Sequence, residues 1–251
     1  MKKNILAAGF LLGMILTGAA WADSKPTLFD EANTLYETGK FEEAIALYQK
    51  DADTQGGSAA LFYNMGNAYY RVGQRARALL SYERALRGTP RDADLLWNKS
   101  LIQDLFVDRL EDRNEFAGVP WFRRQVDRWT INEISMLWAA LLLLLAATHG
   151  FIYMRPDLKR WLRGLKVIIW VAILVIASAG VLKWLEIKDP RVVITDKEIY
   201  VRYGPSLKEP KAFLLHEGAE GRVVDHSRDW LYVVLGNKGA GWIPKSACEV
   251  I

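Results

Sequence analysis

The sequence predicts a multidomain chain: an all-α array of helical repeats, a two-helix transmembrane hairpin and a small all-β barrel at the C-terminus. Three observations predict it. The segment after residue 25 repeats small and aromatic residues with a 34-residue period. Two almost uncharged runs, Ile134 to Tyr153 and Leu165 to Leu185, flank a basic cluster. Beyond Pro190 the pattern changes to short β-type runs separated by turn residues.

The N-terminus sets the compartment. Residues 1–22 carry Lys2 and Lys3, an apolar run from Ile5 to Leu16, and Ala20 and Ala22 around Trp21. That is the layout of a secretory signal with an A-x-A-type cleavage site, an uncleaved anchor helix being the alternative. The segment from Asp23 to about Asn132 is therefore expected to be exported. The 251 residues leave room for two modest domains beside the spans. A net charge of +4, much of it around the apolar runs, argues topology and against nucleic acid as a partner. The single cysteine, Cys248, excludes an internal disulfide and a multi-cysteine zinc site. His149, His216 and His226 fall in different segments and are expected as surface or interface residues.

Within the array, a shift of thirty-four residues lays Ala32 on Gly66, Leu35 on Tyr69, Gly39 on Gly73, Ala44 on Ala78 and Tyr48 on Tyr82. Small residues let two antiparallel helices approach, the glycines supply the turn, and the tyrosines fill the groove between neighbours. Period and chemistry together resemble the tetratricopeptide repeat. Repeats are expected at 25–58 and 59–92, with the segment to residue 112 as a cap that hides the apolar face of the last repeat. Repeat one departs from the pattern at Asp51 and Gly56, and repeat two carries Arg75 where repeat one has Phe41. With its apolar faces met by two repeats and the cap, the array is expected to stand alone. The resemblance implies a concave, peptide-binding surface, and Asn33, Asn64, Asn67 and Asn98 recur at positions that line it. Amide side chains there can hydrogen-bond an extended backbone; the plainer alternative is asparagines tolerated on a solvated face.

Residues 113–132 mix charge, Gly118-Val119-Pro120 and the aromatics Trp121, Phe122 and Trp129, which reads as a linker turning into an interfacial helix. Asn132 is the expected cap of the first span. The spans are expected at 133–153 and 165–186, each long enough for ~30 Å of hydrocarbon. Trp129, Tyr153, Trp161 and Trp184 stand near their ends as an aromatic belt does. The loop 154–164 holds Arg155, Lys159, Arg160 and Arg163, and short basic loops stay cytoplasmic. Array and C-terminal domain then share the outer side, which in a bacterial inner membrane is the periplasm.

Residues 190–251 contain about six short strands, with turns at Gly204-Pro205, Glu217-Gly218, Ser227-Arg228-Asp229 and Gly236-Asn237-Lys238-Gly239. The glycines of GNKGAG lie between two strands and read as a hairpin turn, since a phosphate loop needs a following helix. Arg202, Gly204, Pro205, Gly218, Trp230, Gly241 and Trp242 give this segment a resemblance to the bacterial Src homology 3 family. It implies a small barrel with a groove to which Tyr203, Trp230 and Trp242 are assigned.

No constellation supports catalysis: Cys248 has no histidine near it in sequence, and nucleophilic chemistry needs a base. No catalytic, metal or cofactor residue is assigned. The whole order of segments resembles the BatE proteins of bacterial aerotolerance operons. That resemblance implies a non-enzymatic scaffold in the membrane whose partners are other envelope membrane proteins, among them von Willebrand A domain proteins linked to a MoxR-type ATPase. The alternative is a cell-wall-binding protein or an accessory to a peptidoglycan hydrolase.

Overall fold

A threonine followed three residues later by an aspartate opens the first helix. Thr27 accepts from the Asp30 amide at 3.2 Å while Asp30 accepts from the Thr27 amide at 3.0 Å, satisfying two of the amides that a helix start leaves without partners. The structure, a computed structural model, describes residues 27–108, 119–188 and 190–250. The expected signal segment 1–22 and residues 113–118 of the expected linker lie outside the described residues.

Five helices form the array: α1 (Leu28–Glu37), α2 (Phe41–Gln55), α3 (Ala59–Arg71), α4 (Arg75–Gly88) and α5 (Ala93–Gln103). Each pair turns at a left-handed glycine, Gly39 at φ 81° and Gly73 at φ 80°. The closing bonds match in register, Lys40 N to Leu35 O and Gln74 N to Tyr69 O, both 2.9 Å. Ala32, Ala44 and Tyr48 are buried in the first pair; Gly66, Ala78 and Tyr82 are buried in the second. A Cβ on Gly66 would lie 2.6 Å from the Tyr82 ring, so the second pair is packed too closely for the alanine that repeat one holds at the same place. Ser58 caps α3 and Asp92 caps α5, but α2 and α4 start at Lys40 and Gln74 with no side-chain cap. Residues 109–112 of the expected cap lie outside the described residues. α5 buries Leu95 and Ile102 against the array and leaves Leu96, Leu101 and Trp97 exposed, the last by 68%.

An amphipathic helix, α6 (Val119–Asp127), leads into two long ones, α7 (Ile131–Met154) and α8 (Lys159–Lys188). Asn132 is not the cap of α7. Thr130 is, through a reciprocal box with Glu133, because the capping side chain belongs to the residue just before the first helical one, where it can accept the N3 amide. Both helices contain stretches long and apolar enough to cross a membrane, Ile131–Ile152 and Arg160–Leu185, and only 11% and 17% of their most apolar windows are buried. The turn between them is a single 3-10 element, Pro156–Leu158. Arg160 and Arg163 therefore ride on the first turns of α8, in place of the expected irregular loop to residue 164. Phe122 and Val126 of α6 pack with Ile134 of α7 and with Ile176 and Ala179 of α8.

The C-terminal segment is a seven-stranded antiparallel sheet: β1 (Arg191–Ile194), β2 (Glu198–Arg202), β3 (Lys211–His216), β4 (Glu220–Ser227), β5 (Trp230–Leu235), β6 (Gly239–Pro244) and β7 (Cys248–Val250), in the order β3-β2-β6-β5-β4-β1-β7. The expected barrel does not close. Among the described residues no ladder joins β3 to β7, so the sheet is open, with both as edge strands. A single face still carries the core: Val192, Ile194, Ile199, Val201, Leu215, Leu231, Val233, Leu235 and Ile243 form one buried cluster that reaches from β3 to Cys248 of β7. Register slips at Val201/Arg202 and Val223/Asp225 bend the sheet around this cluster. The GNKGAG turn is a hairpin, Leu235 pairing with Gly239.

Array and sheet are not separate bodies on a tether. Val193, the outward residue of β1, is completely buried, and it belongs to the cluster formed by Leu79, Leu80, Leu95 and Ile102 of α4 and α5. A strand covered on both faces explains why "RVVI" is apolar without alternation. Part of the array's apolar surface is thus covered by a residue of the sheet.

Candidate functional site

The four asparagines sit on the first helix of each pair and on the helix that follows them: Asn33 on α1, Asn64 and Asn67 on α3, Asn98 on α5. Asn33 Oδ1 accepts the Tyr48 hydroxyl at 2.6 Å and Asn64 Nδ2 at 2.9 Å. One repeat on, Asn67 Oδ1 accepts the Tyr82 hydroxyl at 2.6 Å. Asn98 Nδ2 reaches the Tyr63 hydroxyl at 3.4 Å. The structure brings Asn33 and Asn64 into contact, and links Asn98 to α3 through Tyr63 and not through Asn64. Two of these amides therefore hold the fold: their carbonyls lock the buried tyrosines, whose hydroxyls burial pushes up, that of Tyr48 to about 12. A carbonyl with two donors is saturated, so what Asn33 still offers a ligand is its amide N–H. Asn64 offers its carbonyl, and all four side chains are half-buried.

On the sheet, Trp230 and Trp242 stand outside the core cluster, half-exposed on its outer face. Trp230 lies opposite Pro244 and Tyr232 opposite Trp242, and the Tyr232 and Trp242 rings meet edge to face at 5.2 Å. Tyr203, 72% exposed, follows Arg202, the residue paired with Trp242. Tyr232 and Pro244 join Trp230 and Trp242 in one patch, whereas Tyr203 is tied to it only along the chain, through Arg202. Alternation along "WLYVVL" carried the signal for Tyr232, because i and i+2 share a face.

A second set of polar residues joins the modules, and sequence reasoning missed it. Asp108, its side chain 4% exposed, accepts from the His216 amide at 2.8 Å, meets His216 Nδ1 at 3.1 Å and pairs with Lys238. Burial would raise the carboxyl of Asp108, but the bonds from Lys238 and His216 outweigh it and hold the group below the usual aspartate range. Phe106 lies over Gly218, where at φ 83° an added Cβ would meet the ring at 2.3 Å. Glu217 supplies what α4 lacks locally, accepting from the Ala76 amide at 3.0 Å. Arg77 pairs with Glu249 at 2.7 Å, and Gln103 donates to Glu220 at 3.1 Å. Burial and the neighbouring Glu83 push the Glu220 carboxyl up. These contacts span more than a hundred residues of sequence, beyond the reach of any local pattern.

Cys248 is buried in the sheet core, its thiol pushed up to about 11 by burial and by Asp196 and Glu249, so little thiolate forms at neutral pH. Among the described residues no group of three His, Cys, Asp or Glu side chains could hold a metal ion.

The geometry defines a class, an array of antiparallel helix pairs with a glycine turn and a buried tyrosine in each second helix. A family model for the tetratricopeptide repeat matches residues 60–95, which span α3, α4 and the start of α5. The array thus contains a tetratricopeptide repeat, a module that points to binding of protein partners. No curated protein matches the sequence.

Proposed function

We propose that the protein is a membrane-anchored, non-enzymatic scaffold of the bacterial envelope, of the BatE type, with array and sheet on the periplasmic side of the inner membrane. The observation that carries this reading is a tetratricopeptide repeat on the same chain as two helices long and apolar enough to span a bilayer. The same reading sets the remaining boundaries: a signal segment at 1–22, repeats at 25–58 and 59–92, and a domain at 190–251 related to the bacterial Src homology 3 family as an open, bent sheet. Its partners are other envelope membrane proteins, among them von Willebrand A domain proteins linked to a MoxR-type ATPase. Asn33, Asn64, Asn67 and Asn98 present amides to an extended segment of such a partner.

Cross-linked membranes solubilised in detergent test the scaffold. Asn64→Arg with Asn98→Arg is expected to remove most co-purifying membrane proteins while helicity by circular dichroism is kept; an unchanged set of partners overturns the assignment. Orientation is tested in a Cys248→Ser background. Ser58→Cys and Ser206→Cys are expected to react in cells with a membrane-impermeant thiol reagent admitted through the outer envelope, and Arg160→Cys is not; the opposite pattern reverses the topology.

The outer face of the sheet favours a second reading, a cell-wall-binding domain or hydrolase accessory, because Trp230, Tyr232 and Trp242 offer ring faces on which sugars stack. Co-sedimentation with purified peptidoglycan, lost on Trp242→Ala, is the outcome that selects it.

A further inference from the structure

A cavity of about 430 Å³ opens where array, amphipathic helix, hairpin and sheet meet. This is within the ~300–1,000 Å³ typical of small-molecule sites. Five basic residues from five different elements or their junctions line it: Arg87, Lys99, Arg123, Lys183 and Arg191. Against them stand Glu83 and Asp127, so the lining carries an excess of three positive charges. Burial works against the charge on Lys99, but its partner Glu83 together with Glu220 more than offsets this and the ammonium is retained. The rest of the wall is apolar, with Leu86, Leu96 and Ile131.

Its position is informative. Ile131 is the first residue of α7, Lys183 lies in the last turns of α8, and α6 packs across both through Phe122 and Val126. The loop before α5 is fixed to the same place, since Arg91 pairs with Glu133 of α7 and covers the Trp129 ring at 5.3 Å. The cavity therefore sits at the end of the hairpin from which array and sheet rise.

We infer that this cavity binds the phosphate headgroup of an anionic membrane lipid, with Arg123 and Lys183 as its principal cationic contacts. The inference rests on the proposal that α7 and α8 span a bilayer, which puts the cavity at headgroup depth. Convergent cations match a phosphodiester by charge-assisted hydrogen bonds, and the apolar wall suits the glycerol and first methylenes of a lipid where a free anion gains nothing. Bound lipid would tie the array and the sheet to the spans and fix how the modules stand over the membrane.

The test uses the full chain in detergent, stripped of lipid and offered phosphatidylglycerol or phosphatidylcholine at equal concentration, with retention read by native mass spectrometry. Phosphatidylglycerol is expected to be retained about tenfold over phosphatidylcholine, and Arg123→Gln with Lys183→Gln to remove most of that preference, consistent with loss of charge-assisted contacts. Both residues also contact the protein itself, so Arg87→Gln, at the exposed end of α4, serves as a second variant and is expected to lower retention several-fold. Arg124→Gln removes the same charge from α6 outside the cavity and is expected to change nothing. Equal retention of the two lipids, or equal loss with Arg124→Gln, overturns the inference. Displacement of phosphatidylglycerol by equimolar inorganic phosphate overturns the lipid as the ligand in favour of a soluble anion. Carbonate extraction of membranes separates this from the parent reading: release of the wild-type chain removes the spans, whereas a retained chain without lipid preference removes only the site.

Discussion

The two helix pairs of the array are built to one local plan and held in two different ways. Both turn on a left-handed glycine, both bury a tyrosine that donates to an asparagine fifteen residues earlier, and both begin their second helix without a local cap. The first pair ends there, with its Lys40 start uncapped. The second is gripped by the sheet: Val193 covers α4 and α5, Glu217 caps α4, Arg77 meets Glu249, and Asp108 just past α5 ties His216 and Lys238. A shared local plan thus leaves the two pairs with unequal support, and helices of this length are held mainly by what packs on them. Amide hydrogen exchange in the native protein should show it directly, with α4 slower than α2.

The sharpest way to break the difference is Val193→Asp. A carboxylate in a site with no exposure and no partner is expected to cost about 3 kcal/mol or more. The array should lose the sheet, and exchange of α4 should rise to that of α2 while α2 stays as it was. If α4 keeps its protection, the sheet is not what distinguishes the two pairs.

A smaller effect is expected from Asp108→Asn, about 2 kcal/mol for a buried hydrogen-bonded charge left half-answered, and it carries a pH signature. The folded Asp108 carboxyl is held below its ordinary value, so its contribution is complete above that ordinary value and is lost as pH falls through the lower, folded one. Glu220 is held high and runs the other way: its share is complete below the ordinary glutamate value and fades as pH rises through the folded value. The acid-side loss in thermal melts of the native chain should therefore be shallower in Asp108→Asn than in wild type. Parallel curves would remove Asp108 as the latch.

The smallest change is Glu217→Gln, which keeps an acceptor for the Ala76 amide but removes the charge at the helix start. A loss of about 0.5–1 kcal/mol is expected, read as faster exchange confined to the first turn of α4. Since α2 has no such cap to lose, the variant should bring the two helix starts closer together.

The candidate site was legible in the same uneven manner. The 34-residue shift placed every asparagine on its helix, because the spacing of small and aromatic residues is a local consequence of helix geometry. It did not reveal that Asn33 and Asn67 spend their carbonyls on Tyr48 and Tyr82, since a side chain's partner depends on the distance between helices, not on its own pattern. Alternation along β5 holds the signal that puts Tyr232 beside Trp230 on one face, a signal the groove assignment did not use; that the face is the outer one was decided by which side the bent sheet encloses.

By itself the sequence determined the helix pairs, their turns, the two apolar helices and six strand runs, each fixed by periodicity, turn residues or composition within a few residues; the last run divides into β6 and β7, which the run of residues alone did not separate. Only the tertiary structure decided that the sheet stays open, that β1 is covered on both faces, and that Asp108, Glu217 and the basic cavity belong to joints between modules. Those outcomes depend on contacts between residues far apart in the chain. A buried carboxylate or an extra apolar residue looks locally like any other, and acquires its role only when a distant partner arrives to satisfy it.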